Sequence, residues 1–150
     1  MKKIMTTLAL ALFAGASVLT ATAGELEWHT DLAKAQAQAK AEKKMVMLDF
    51  TGSDWCGWCI KLNKEVFATE EFAAFAKKNL VLVEVDFPRK KEMPADQKKA
   101  NQALAQKYSI KGYPTLVVLD GEGKELGQLG YEKGVKAWLE AFEKATKKKA

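Results

Sequence analysis

An α/β fold with a central mixed β-sheet flanked by helices is predicted by three features of the sequence. Short apolar runs of strand length alternate with longer helix-type segments. A turn cluster after the third run folds the chain back as a hairpin, and a helix with a clear apolar stripe closes the chain.

The first residues are read as a leader rather than as fold. Lys2 and Lys3 give a positive start, Ile4 to Leu19 is small and apolar, and Ala21-Thr22-Ala23 is a small-x-small site before Gly24. This is the three-part layout of a secretory signal peptide. A membrane anchor is the competing reading, but the apolar run falls short of the roughly 20 residues that span a bilayer. Residues 1–23 are therefore expected to be a cleaved signal peptide and residues 24–150 one domain. No cysteine lies near the cut to carry a lipid, so no stable membrane insertion is expected after cleavage. A periplasmic or secreted location follows.

Within the domain, Thr30 is placed to cap a helix from Asp31 to about Lys43, with Leu32, Ala35 and Ala39 inward. Met45 to Phe50 reads as a buried strand, followed by the turn cluster Thr51-Gly52-Ser53-Asp54. A helix is expected from the cysteines to about Phe67, and Thr69 is expected to cap another that carries Phe72, Phe75 and Ala76. Leu80 to Asp86 is a second buried strand. After the polar connection Phe87 to Pro94, a helix is expected from Ala95 to Tyr108, with Ala100, Ala103, Leu104 and Tyr108 inward. Thr115 to Leu119 is the third strand. Asp120-Gly121-Glu122-Gly123 turns the chain so that Lys124 to Leu129 returns beside it. Val135, Trp138, Leu139 and Phe142 then follow helical spacing.

Composition narrows function. The 150 residues are 48% hydrophobic and 29% charged, with a formal net charge of +5. Loss of Lys2 and Lys3 with the leader reduces that to +3, too mild to argue for nucleic acid. The closing Lys147-Lys148-Lys149 reads as a solvated tail. With two cysteines and one histidine, the chain lacks the roughly four ligands a structural zinc site uses. Ile60 stands after Cys59 where haem attachment needs a histidine. No metal and no cofactor are expected.

The chemistry concentrates in Trp55-Cys56-Gly57-Trp58-Cys59. A bridge between cysteines three apart closes a small loop and constrains little chain entropy, so a structural staple is a weak reading. A thiol at a helix start faces unpaired N–H groups and the positive end of the helix dipole, which favours the thiolate. Cys56 is therefore expected to attack a disulfide, and Cys59, one turn further in and more buried, to resolve the mixed disulfide. Export places both thiols where disulfides persist. Protein thiols and disulfides are the expected partners, with a further redox partner that the sequence does not identify. The chain is expected to act as a monomer.

The residues Asp49-Phe50, Trp55-Cys56-Gly57-Trp58-Cys59 and Gly112-Tyr113-Pro114-Thr115, with the hairpin and last helix, resemble the thioredoxin family from about Asp31 to Lys144. The closest likeness is to exported thioredoxin-like proteins with a W-C-x-W-C centre. The resemblance implies a thioredoxin-like fold and dithiol–disulfide oxidoreductase activity. It also implies a cis peptide at Tyr113–Pro114 facing the cysteines, with the backbone at Tyr113 pairing with an extended substrate. The sequence by itself favours trans, since cis is about 5–6% of X–Pro bonds.

Three departures from the family pattern stand out. Trp58 replaces the proline common in reductants, so the direction of electron flow is left open. Asp49 lies seven residues before Cys56 rather than six, as if Gly52-Ser53 lengthened the turn. It either sits beneath Cys59 as a proton acceptor or is a strand-end carboxylate bound to backbone. The lysine often found near that acid is absent, with Leu82 in the aligned place. The segment from Phe87 to about Gln106 is also longer than in the plain fold, a candidate for partner contacts.

Trp55 and Trp58 flank the thiols, either as a platform for extended substrates or as a shield for Cys59. Trp28, Trp138 and His29 are assigned to packing or surface. Lys61 and Lys64 are solvated helix positions or electrostatic support for the thiolate. Two other functions compete with the enzyme: a redox-silent binding module on the same fold, and a Cu(I) carrier gripping the metal with Cys56 and Cys59.

Overall fold

The computed structural model describes residues 25–147. The leader assigned to residues 1–23, and Lys148 and Lys149 of the tail, lie outside the described residues. The elements run β1 (Trp28–His29), α1 (Leu32–Glu42), β2 (Met45–Thr51), α2 (Gly57–Leu62), a π-helical turn (Asn63–Phe67) and α3 (Glu70–Asn79). They continue with β3 (Leu80–Asp86), α4 (Ala95–Lys107), β4 (Thr115–Leu119), β5 (Glu125–Leu129) and α5 (Val135–Lys147).

The five strands form one mixed sheet in the order β1-β3-β2-β4-β5. β3 lies parallel to β1 and to β2, whereas β4 is antiparallel to both β2 and β5. The central strands β2 and β3 read as near-continuous apolar runs because both of their faces are covered. On one face Met47, Leu82, Leu116 and Val118 pack with Phe72, Trp138 and Phe142. On the other, Val46, Leu48, Phe50, Val81, Val83 and Val117 pack with Ala35, Ala39 and Tyr108. The thin stripe of α1 reaches the sheet through buried Ala35 and Ala39, with Leu32 packed beside them.

Several expectations change in detail. The cap of α1 is Asp31 rather than Thr30: its carboxylate accepts the N–H groups of Ala33 and Lys34 at 2.8 and 3.2 Å. The helix after the cysteines widens to a π turn at Asn63–Phe67. On α4 the buried position is Asn101, while Ala100 and Ala103 are exposed. Asn101 is retained inside because its side-chain amide donates to the Asp86 carbonyl at 2.8 Å, which satisfies a strand-end acceptor. The two-residue β1 escaped the sequence reading because Trp28–His29 is too short to display a period.

Candidate active site

The site forms at the C-terminal end of β2, where the chain turns out of the sheet. The N–H groups of Trp55 and Cys56 both donate to the Gly52 carbonyl, at 3.2 and 2.8 Å. This turn delivers Cys56 to the N-cap of α2 with extended backbone (φ −82°, ψ 103°). There its Sγ accepts the Cys59 N–H at 3.2 Å. Cys56 and Cys59 are joined in a disulfide, with Cα atoms 5.2 Å apart. Their burial differs from expectation: Cys56 is 6% exposed and Cys59 5%, so Cys59 is hardly the deeper of the two.

Asp49 is 7% exposed, and its Oδ1 has no hydrogen-bond partner. Burial, reinforced by the nearby carboxylates of Glu84 and Asp86, pushes its carboxyl up to about 8. A cavity of about 210 Å³ lined by Asp49, Thr51, Cys59, Asn63 and Glu84 joins the acid to the second cysteine. The orphaned oxygen leaves that atom without a backbone partner among the described residues, and Asp49 and Cys59 line the same cavity. The aligned position on β3 does need correction. Met45 pairs with Leu80, so Leu82 lies opposite Met47 and the residue beside Asp49 is Glu84.

Tyr113–Pro114 is a cis peptide. It immediately precedes β4, and Thr115 pairs with Phe50, which brings Tyr113 and Pro114 to the same end of the sheet as the cysteines. Tyr113 meets Trp55 edge-on at 5.8 Å and Phe87 at 5.3 Å between ring centroids. Trp55 is half-buried: its indole N–H donates to the Phe87 carbonyl at 2.8 Å, and the Arg89 guanidinium lies 3.6 Å over its ring. A Cβ on Gly52 would reach within 2.5 Å of that indole, so the close approach of Trp55 requires glycine there. Gly57 is exposed, with open space where a side chain would stand.

Trp58 is 57% exposed and Ile60 51%. Trp58 leans on Tyr131 at 5.0 Å, and Lys61 Nζ sits over both rings. The Tyr131 hydroxyl donates to Glu65 at 2.6 Å, and that carboxylate holds the phenol proton, raising Tyr131 to about 12. Lys61 is thus an aromatic and Glu65 contact rather than a freely solvated residue. Trp138 is buried core, and Trp28 packs on Phe67 at 5.3 Å.

The connection after β3, expected from the sequence as a candidate for partner contacts, packs against the loop before Cys56, a contact the sequence did not foretell. The Asp54 carboxylate accepts the backbone N–H groups of Arg89, Lys90 and Lys91 at 3.0, 2.7 and 2.9 Å. Asp86 accepts the Ser53 N–H at 2.9 Å and its hydroxyl at 2.5 Å. The loop before Cys56 and the segment 87–91 therefore brace each other. Asp54-x-x-x-x at a turn offers no sequence signal for partners 35 to 37 residues away.

The three donors, the Arg89 N–H first, hold Asp54 down at about 2. Its contribution to stability is therefore present above the ordinary aspartate value near 3.8 and is lost as pH falls through about 2. Asp54→Ala is expected to free residues 89–91, speeding their amide exchange and altering Trp55 fluorescence as Arg89 leaves the ring. Unchanged exchange at those amides would show that the brace is unimportant.

Among the described residues, no group of three or more His, Cys, Asp and Glu side chains is placed to hold a metal ion. Also among them, no helix is long and apolar enough to cross a membrane.

A disulfide closed across one helical turn, at the point where the chain leaves a mixed sheet, is the working part of a thiol–disulfide oxidoreductase. The chain belongs to the thioredoxin-like domain family, whose model matches residues 32–146. It is 44% identical over 112 residues to the disulfide bond reductase DsbH of Chlamydia pneumoniae, covering 75% of this chain and 67% of that one. It is 31% identical over 103 residues to the thioredoxin-related protein DsbJ of the same organism, spanning 69% of this chain but 30% of that protein. A solved structure of DsbH oxidoreductase superposes with a TM-score of 0.77 at 37% identity, covering 95% of this chain and 96% of the other.

Proposed function

We propose that this oxidoreductase is an exported reductase of protein disulfides, with Cys56 the attacking thiolate and Cys59 the resolving thiol. The observation that carries the assignment is the Cys59 N–H donated to Cys56 Sγ at 3.2 Å. A donor already aimed at that sulfur stabilises negative charge on it when the bridge opens. The 44% identity to a protein named as a disulfide bond reductase favours the reducing direction.

Trp55, Gly57, Trp58, Tyr113 and Pro114 are assigned to substrate contact. Exposed Trp58 and the open space at Gly57 leave room for an extended chain beside the sulfurs. Asp49 is assigned as the acid–base partner of Cys59, because the two share one cavity. The charged start, apolar stretch and small-x-small site of residues 1–23 support a periplasmic or secreted setting.

The test is the equilibrium potential of the Cys56–Cys59 pair against glutathione, together with insulin disulfide reduction. A reductase is expected to lie nearer the thioredoxin value of about −270 mV and to precipitate insulin B chain. A value near the about −120 mV of strongly oxidising dithiol proteins would overturn the direction.

A further inference from the structure

The register of the two central strands places Glu84 directly beside Asp49. Partners in a parallel pair point to the same face, and both side chains line the cavity beneath Cys59. Glu84 is also the only residue of β3 that is not buried. It therefore lines the cavity while being the more solvent-accessible of the two acids, since Asp49 is buried. A cavity of about 210 Å³ has room for several waters, since one needs roughly 10–15 Å³, and its carboxylates supply polar partners. Among the described residues no hydrogen bond or ion pair ties the Glu84 carboxylate to the fold, so packing gives no account of an acid at this place.

We propose that Glu84 is a positioning residue for disulfide exchange, relaying to solvent the proton that Asp49 takes from Cys59. The proposal rests on the reductase reading above. The Cys56 thiolate attacks a substrate disulfide, forming a mixed disulfide and releasing one substrate thiolate. Cys59–SH gives its proton to the Asp49 carboxylate. The Cys59 thiolate then attacks the Cys56 sulfur, closing the Cys56–Cys59 bond and expelling the second substrate thiolate, which takes a proton from water. Protonated Asp49 passes its proton through the cavity to ionised Glu84, and Glu84 releases it outside. Two electrons move from the cysteine pair to the substrate; Asp49 and Glu84 return to their starting charge, and the negative charge of the Cys56 thiolate leaves with the first substrate thiolate.

The charged groups that act on Glu84 come from each neighbouring element: Asp49 on β2, Asp86 on its own strand and Lys91 in the connection. Burial and Asp86 raise Glu84, and Lys91 opposes them. This makes it a readier proton acceptor than a surface glutamate.

The experiment compares the full domain with Glu84→Gln and Glu84→Asp. The readouts are the pH profile of insulin reduction, the rate of Cys59 attack in a preformed mixed disulfide, and the Asp49 carboxyl titration by NMR. Glu84→Gln is expected to slow the Cys59 step about tenfold, below the 10²–10⁴ range of a direct acid–base group. It is also expected to shift the Asp49 titration to lower pH, because a like charge has been removed. Glu84→Asp is expected to recover most of both. An unmoved Asp49 titration, or a full Cys59 rate in Glu84→Gln, would overturn the relay while leaving the reductase reading intact. Failure of the unsubstituted protein to reduce insulin would overturn both.

Discussion

Cys56→Ser is expected to bring insulin reduction down to the uncatalysed background, while Cys59→Ser retains the first half of the reaction and accumulates a mixed disulfide with substrate. The asymmetry follows from the helix start. Cys56 is the N-cap, and its sulfur already accepts the Cys59 N–H, so charge on that atom is stabilised by a donor fixed by the fold. Serine places an oxygen there that is not ionised near neutrality and forms no sulfur–sulfur bond. Among the described residues no N–H donates to the Cys59 sulfur, and its function begins only once Cys56 is linked to substrate. Mass spectrometry of each variant after incubation with a disulfide-bonded peptide separates the two roles. An adduct on Cys56→Ser and none on Cys59→Ser would reverse the assignment.

Asp49→Asn carries the second large effect, and it acts in opposite senses on stability and turnover. The Asp49 carboxyl is held near 8 against an ordinary 3.8, so the folded state retains a proton that the unfolded state releases. Between those values the native chain binds more protons, and stability therefore falls as pH rises from about 4 to about 8 and is level above. At about 1.4 kcal/mol per tenfold change in proton affinity, the penalty above pH 8 is on the order of 6 kcal/mol. Asp49→Asn removes the charge at similar volume. It is expected to leave stability near pH 4 almost unchanged and to raise it by several kcal/mol at pH 9. Urea unfolding of both proteins at the two pH values measures the difference, and parallel pH curves would refute it. The same substitution is expected to slow the Cys59 step by about 10² near neutrality, the lower end for loss of an acid–base group. A buried acid kept at this cost in stability is better explained by proton transfer than by packing.

The reach of the sequence differs sharply between parts of the molecule. The strands at Met45, Leu80 and Thr115, the hairpin, and the stripe Val135, Trp138, Leu139 and Phe142 were legible because burial imposes a local period or an apolar run. Cys56 and Cys59 were legible as a redox pair from their spacing at a strand-to-helix turn. The cis state of Tyr113–Pro114 came from family resemblance, since local preference favours trans. Asn101 was not singled out, and Ala100 and Ala103 were placed inward instead, because a buried amide satisfied by a distant carbonyl looks, in sequence, like any surface polar residue.

What the sequence by itself determined is the alternation of elements and the placing of the reactive pair, both set by interactions between residues a few positions apart. Tertiary structure alone decided that Asp49 faces Cys59 across a cavity, that Glu84 rather than Leu82 stands beside that acid, and that Asp54 holds the segment 89–91 against Trp55. Those contacts depend on strand register and on loops meeting in space. Their strength comes from desolvation and from hydrogen bonds between segments some 35 residues apart, distances at which residue order carries no periodic trace.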